Sequence, residues 1–123
     1  MQLLESGEMY IENIYVLAQK QEMVRSIDIV NYTGYSKPSV SRAVNLLKDN
    51  GYININDEGH ITLEETGLDV AKTIYERHTL LTKMLCGIGV SEETASADAC
   101  KMEHVISDET FERIKEHMNM YNK

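Results

Sequence analysis

The segment SKPSVSRAVNLLKDNGYININDEGHITL, residues 36–63, changes its periodicity halfway along. In the first half Val40, Ala43, Val44 and Leu47 recur at helical spacing, while Ser39, Ser41, Arg42, Asn45 and Lys48 fall mainly on the opposite side. Ser36 is placed to be the N-cap, and Pro38 stands in the first turn, where a missing N–H costs nothing. Asn50-Gly51 closes the helix. In the second half Tyr52, Ile53 and Ile55 precede a polar turn at Asp57-Glu58-Gly59, and Ile61 and Leu63 follow it, the pattern of a short β-hairpin. A helix with a polar outer face that runs straight into a hairpin is the second half of a winged helix-turn-helix.

The flanking sequence supplies the rest of that plan. Upstream, Ser26 is expected to cap a short helix, IDIVNYT, which Gly34 ends as a residue tolerant of the left-handed conformation. Before it, EMYIENIYVLAQKQ repeats Met9, Ile11, Ile14, Tyr15, Leu17 and Ala18 at near-helical spacing. Downstream, a long helix is expected from about Glu65 to Leu85, with Val70, Ile74, His78, Leu81 and Leu85 on related faces, and GIGV breaks it. Ser91 and Ser107 cap two further helices, with Thr94 and Thr110 at the capping-box positions and Phe111, Ile114 and Met118 as the last apolar face. The chain thus reads as mainly α: a winged helix-turn-helix over 1–64, then a helical domain over 65–123. The competing reading of the layout is a generic α+β bundle.

Composition narrows the function classes. The 123 residues are 42% apolar, with no Trp and a single Pro, and no apolar run approaches the roughly 20 residues that cross a bilayer. The N-terminus, MQLLESGEMY, lacks the basic start and small-residue cleavage site of a signal peptide, so a cytoplasmic protein without membrane attachment is expected. Cys86 and Cys100 allow at most one internal disulfide, which a cytosolic setting disfavours. A net charge of −8 argues against indiscriminate nucleic-acid binding but leaves room for a local basic face. It also suits a protein that gains positive charge from a bound cation.

In a helix-turn-helix the N-terminal part of the second helix meets base edges in the major groove. Here Ser36, Ser39 and Ser41 bring small hydroxyls, Lys37 and Arg42 bring charge, Pro38 can touch a thymine methyl, and Lys48 is placed for a phosphate. Arg42 can make a bidentate contact with guanine, worth about 1–3 kcal/mol of discrimination. The bland reading is that these residues cap and solvate a helix. The DEGH turn is too acidic to read a minor groove strongly, and His60 is expected to be an exposed turn residue.

A second constellation is CKMEH, residues 100–104. At about 100° per residue, Cys100, Glu103 and His104 share a helical face. Met9 and Glu12 are spaced i, i+3 on the first helix, and His78 stands on the long one. Were these helices packed together, a thioether, a thiolate, two carboxylates and two imidazoles would meet, a donor set for a divalent first-row metal. Against this stand a core methionine, a solvated glutamate and an interfacial histidine.

The stretches EMYIENIY, SKPSVSRAVNLLKDNGYI, LEETG, ERHTLL and ADACKMEHVIS occur in an order and spacing that resemble the diphtheria toxin repressor and manganese transport regulator family over almost the whole chain. The resemblance implies a homodimeric, metal-activated repressor that binds operator DNA, with residues 65–123 as its dimerisation and metal-binding domain. It implies that Met9, Cys100, Glu103 and His104 match the primary metal site of the iron branch. Glu12 and His78 match ligand positions of the manganese branch, which has Asp where this chain has Met9 and Glu where it has Cys100. His78 also matches an ancillary ligand of the iron branch, but Thr82 and Ser96 stand where its Glu and His partners would be. The chain ends at Lys123, short of the SH3-like domain of longer members.

Ferrous iron is the expected metal, then manganese, with zinc, cobalt or nickel binding in vitro. The dimer interface is expected on the apolar sides of 79–85 and 111–118. Three other classes compete: a winged-helix regulator that needs no metal, a small metalloenzyme, and a redox switch through Cys86 and Cys100. The enzyme reading lacks a candidate general base beside the site and a glycine-rich substrate loop.

Overall fold

The computed structural model describes residues 5–121. Among them are six helices and one two-stranded sheet, in the order α1 (Glu5–Lys20), α2 (Ser26–Thr33), α3 (Lys37–Asp49), β1 (Ile53–Ile55), β2 (Ile61–Leu63), α4 (Glu65–Gly87), α5 (Glu92–Met102) and α6 (Asp108–Tyr121). This is a mainly α chain with a winged helix-turn-helix at its start. Two compact units, Met1–Lys72 and Thr73–Lys123, divide it inside α4. None of these helices is long and apolar enough to cross a membrane.

The first unit is organised around hydrocarbon. Ile11, Ile14 and Leu17 of α1, Ile29 of α2, Val40, Val44 and Leu47 of α3, and Ile53 and Ile61 of the wing form one buried cluster. Each such side chain contributes about 1.5–3 kcal/mol relative to staying exposed. The helix stops are local. Ser36 Oγ accepts the Ser39 N–H at 3.2 Å, so α3 starts on its serine cap. Gly34 ends α2 with φ 80°, and Gly51 follows α3 with φ 83°, both left-handed positions that glycine takes without strain. Ser26, by contrast, is not the cap of α2 but its first helical residue. Arg25 is the N-cap, because Asp28 reaches back to accept the Arg25 N–H at 2.8 Å.

The wing is an antiparallel pair in which Ile53 faces Leu63 and Ile55 faces Ile61. Its loop is longer than a four-residue DEGH turn. Asn56 Oδ1 accepts from the N–H groups of Glu58 and His60, and the Gly59 N–H bonds to Asn56 O. This Asx-turn draws His60 into a half-buried position, not the exposed one its polar neighbours suggest. The Ile61 N–H bonds to Val24 O at 2.7 Å and Arg25 Nε donates to Glu58 O at 3.1 Å, so the wing is stitched to the entry of α2. Behind it, Gly67 in the first turns of α4 lies so close to Tyr52 that a β-carbon there would stand 2.1 Å from the Tyr52 carbonyl oxygen.

In the second unit α4 buries Ile74, Arg77 and Leu81 at i, i+3 and i+7, α5 buries Ala95 and Ala99, and α6 buries Phe111. Ser91 Oγ accepts the Thr94 N–H at 3.4 Å and Ser107 Oγ accepts the Thr110 N–H at 3.1 Å. Both serine caps follow the sequence reading.

Candidate metal centre and nucleic-acid interface

The outer face of α3 carries Lys37, Pro38, Ser41, Arg42 and Lys48, all exposed, with Ser36 exposed at the cap and Ser39 half-buried beside it. Three of the four charged residues of this helix are basic, in a chain whose net charge is −8, so the local sign is reversed where a phosphate backbone would lie. Ser36 Oγ also donates to Ser39 Oγ at 2.8 Å, which ties two of the candidate hydroxyls to each other. Behind the N-terminal end of the helix, Ser6, Met9, Tyr10, Tyr35, Ser36 and Ser39 line a cavity of about 280 Å³. The Tyr10 and Tyr35 rings meet there, tilted, with centroids 5.6 Å apart. Burial, with Tyr35 adding to it, raises the Tyr10 hydroxyl pKa, and Arg42 opposes this. Within the first unit, Met9 therefore lies against the start of α3. Glu12, one turn further along α1, is half-buried.

The second unit gathers His78, Glu103 and His104. Spacing alone puts Cys100, Glu103 and His104 on one helical face, but α5 ends at Met102. Glu103 is its C-cap, still with helical angles (φ −60°, ψ −24°) and an N–H bonded to Ala99 O at 2.9 Å. His104 falls beyond, in the turn. The Val105 and Ile106 N–H groups both return to Met102 O at 3.1 Å, so the chain reverses here before Ser107 starts α6. Cys100 stays on the last turn of α5, half-buried, and no disulfide joins it to the exposed Cys86.

The side chains of Glu103 and His104 are both fully buried, and that of His78 is 27% exposed. Glu103 Oε2 lies 2.9 Å from His78 Nδ1. Its other oxygen, Oε1, stands 3.3 Å from His104 Nε2 but accepts no hydrogen bond from any described residue. A carboxylate taken out of water with one oxygen unsatisfied is costly, and a cation at that oxygen removes the cost. An imidazole beside each oxygen of this carboxylate, with a thiol one turn away, gives donors that suit a divalent first-row metal, so the residues present fit such an ion. On its far side, His78 Nε2 is 3.4 Å from Ser96 Oγ, and Thr82 Oγ1 donates to His78 O at 2.7 Å. Ser96 and Thr82 thus spend their hydroxyls on His78 itself.

Sequence reasoning missed Arg77. Its guanidinium is buried beside the site, donates through Nη1 to the carbonyls of Glu103 and Ile106 at 3.1 Å each, and pairs with Asp108. It also lies over the Phe111 ring, 5.3 Å from the centroid. The signal that could have found it is a charged residue interrupting the apolar stripe Ile74, Arg77, Leu81.

Residues 2–61 match the family model "Iron dependent repressor, N-terminal DNA binding domain", and residues 64–123 match "Iron dependent repressor, metal binding and dimerisation domain". An uncharacterised HTH-type transcriptional regulator of Methanocaldococcus jannaschii is 32% identical over 95% of each chain. The iron-dependent repressor IdeR of Mycobacterium tuberculosis is 29% identical over 96% of this chain and 52% of its own. The chain therefore spans nearly all of the archaeal relative and about half of the mycobacterial one. Among solved structures, the manganese regulator SloR superposes with a TM-score of 0.81 at 24% identity over 97% of this chain and 55% of that one, a likeness of fold. A manganese-dependent transcriptional repressor in complex with manganese follows at 0.79 and 25% identity, over 90% of this chain and 51% of that one.

Proposed function

The chain belongs to the iron-dependent repressor family of metal-dependent transcriptional repressors, and from that premise we propose that it represses transcription by binding operator DNA as a homodimer when loaded with a divalent metal, ferrous iron first and manganese second. The observation that carries the reading is the fully buried Glu103 carboxylate, flanked by His78 and His104, with Oε1 left unsatisfied.

Glu103, His104, Cys100 and His78 would hold the ion from the second unit, and Met9 and Glu12 of α1 would complete its ligands. The bound cation supplies positive charge and a link between side chains distant in sequence. Ser96 Oγ stands 3.4 Å from His78 Nε2 where an ancillary ligand would be, which supports one principal ion per subunit. Met9 lines the cavity behind Ser36 and Ser39, so holding its side chain also holds the start of α3. Ligation thereby favours the DNA-competent state among those the protein samples. In the dimer the two α3 helices would sit about 34 Å apart, one turn of B-DNA.

Lys37, Arg42 and Lys48 then meet phosphates and bases, with Ser36, Pro38, Ser39 and Ser41 at the leading end. An anaerobic gel-shift series with ferrous iron, with manganese and with chelator tests this. Strong metal-dependent binding is expected, and Arg42→Ala should cost about 1–3 kcal/mol, concentrated at one operator position. Equal DNA affinity with metal and with chelator would leave a regulator that needs no metal.

A further inference from the structure

We propose that Arg77 is a positioning residue for the metal centre, the strut that holds the 103–107 turn in the shape that presents Glu103 and His104. The inference deepens the reading above and rests on it. The turn has no glycine or proline to set its path. Beyond the Val105 and Ile106 N–H bonds to Met102 O, what braces it is a guanidinium delivered from α4, bonded at 3.1 Å to the carbonyl of Glu103 and at 3.1 Å to the carbonyl of Ile106. One guanidinium nitrogen, Nη1, thus ties both ends of the segment that carries the two buried ligands.

The direction of those bonds matters. A cation so near Glu103 would compete with a metal if it paired with the carboxylate. Arg77 takes the backbone oxygen instead, and the carboxylate is left to His78 and His104. Because Arg77 and His78 are consecutive on α4, a single helix places the strut under the turn and an imidazole against the side chain it carries. The Asp108 end of the strut is different in kind. Its carboxylate is 95% exposed, so water screens that ion pair and the carbonyl bonds do most of the positioning.

The test uses the full chain with Co²⁺ as a visible probe, measuring the absorption titration, and hydrogen exchange of the metal-free protein. Wild type should bind Co²⁺ and His104→Ala should not, which checks the underlying reading. Arg77→Met should weaken Co²⁺ binding by about 10–100-fold, the range for residues that support a ligand from behind, and alter the Co²⁺ spectrum. In the metal-free state its 103–107 amides should exchange faster, while those of α4 keep their protection. Arg77→Lys, which keeps the charge but not the planar group that lies over Phe111, should lose part of the affinity. Asp108→Asn should lose least.

A merely structural arginine would lower protection throughout the second unit and leave the affinity of the folded fraction unchanged. Unchanged Co²⁺ affinity in Arg77→Met, or in Arg77→Lys should the methionine variant not fold, overturns the strut and leaves the metal centre standing. Failure of wild type to bind Co²⁺ removes both.

Discussion

Twelve of the seventeen buried apolar side chains among the described residues lie in the first unit, from Tyr10 to Ala71, whereas Arg77 and Glu103, the two buried charged residues, both lie in the second. The difference separates two ways of holding a shape. A contiguous hydrocarbon core tolerates small shifts of its members and needs no external partner. Buried charges are favourable only while every donor and acceptor is met, and a half-met cluster is worse than an apolar one. The second unit, with Ile74, Leu81, Ala95, Ala99 and Phe111 as its buried apolar residues, is thus the one whose order would gain most from a bound ligand. Metal and a second subunit are the proposed partners.

The largest effect that would test this contrast is in the first unit. Ile14 is 1% exposed, and Ile14→Ala should lower the unfolding free energy by about 2–5 kcal/mol. The loss should be equal with manganese and with chelator in chemical denaturation. A loss that depended on metal would mean the two cores are not distinct in kind.

Next comes the converse change. Glu103→Gln keeps the shape but removes the buried charge, so the metal-free protein should melt at the same temperature or higher. In wild type, metal at a hundred times its dissociation constant should add about 2.7 kcal/mol, and in the variant this increment should vanish. Acidification should erode the wild-type increment too, because the ligands bind metal only when deprotonated. A variant that melted much lower without metal would show Glu103 to be a structural residue.

The smallest effect sharpens the boundary between stability and reading. Ser36→Ala deletes the α3 cap and should cost about 1 kcal/mol of stability. Operator affinity should fall with it, since Ser36 also orients Ser39. Stability lost with unchanged operator affinity would confine the serine pair to capping.

Legibility in the sequence followed the same division. The first unit announces itself because its signals are local: Ser36 with Pro38, Gly34, Gly51 and the alternation across the wing act within a few residues of where they stand. Its misread details are of the same short range. Asp28 moves the α2 cap from Ser26 to Arg25, and Asn56 pulls in His60. In the second unit the residue types proposed as ligands at 78, 100, 103 and 104 stand plainly in the sequence, but their geometry does not. The end of α5 at Met102 is accompanied by bonds from Arg77, 26 residues away, to the carbonyls that follow. Periodicity carries no trace of such a partner, so the helical face it implies for Glu103 and His104 runs past the point where the helix stops.

The close approach of Gly67 to Tyr52 bears on how parts of this protein can be exchanged. With 2.1 Å between a would-be β-carbon and a carbonyl oxygen, position 67 accepts no side chain while the hairpin keeps its seat. Anyone grafting this hairpin onto another helical body must carry the glycine across with it. A chimera joined at residue 64 to a body with a side chain at position 67 inherits a collision that no repacking of neighbouring side chains relieves, because the obstacle is main chain.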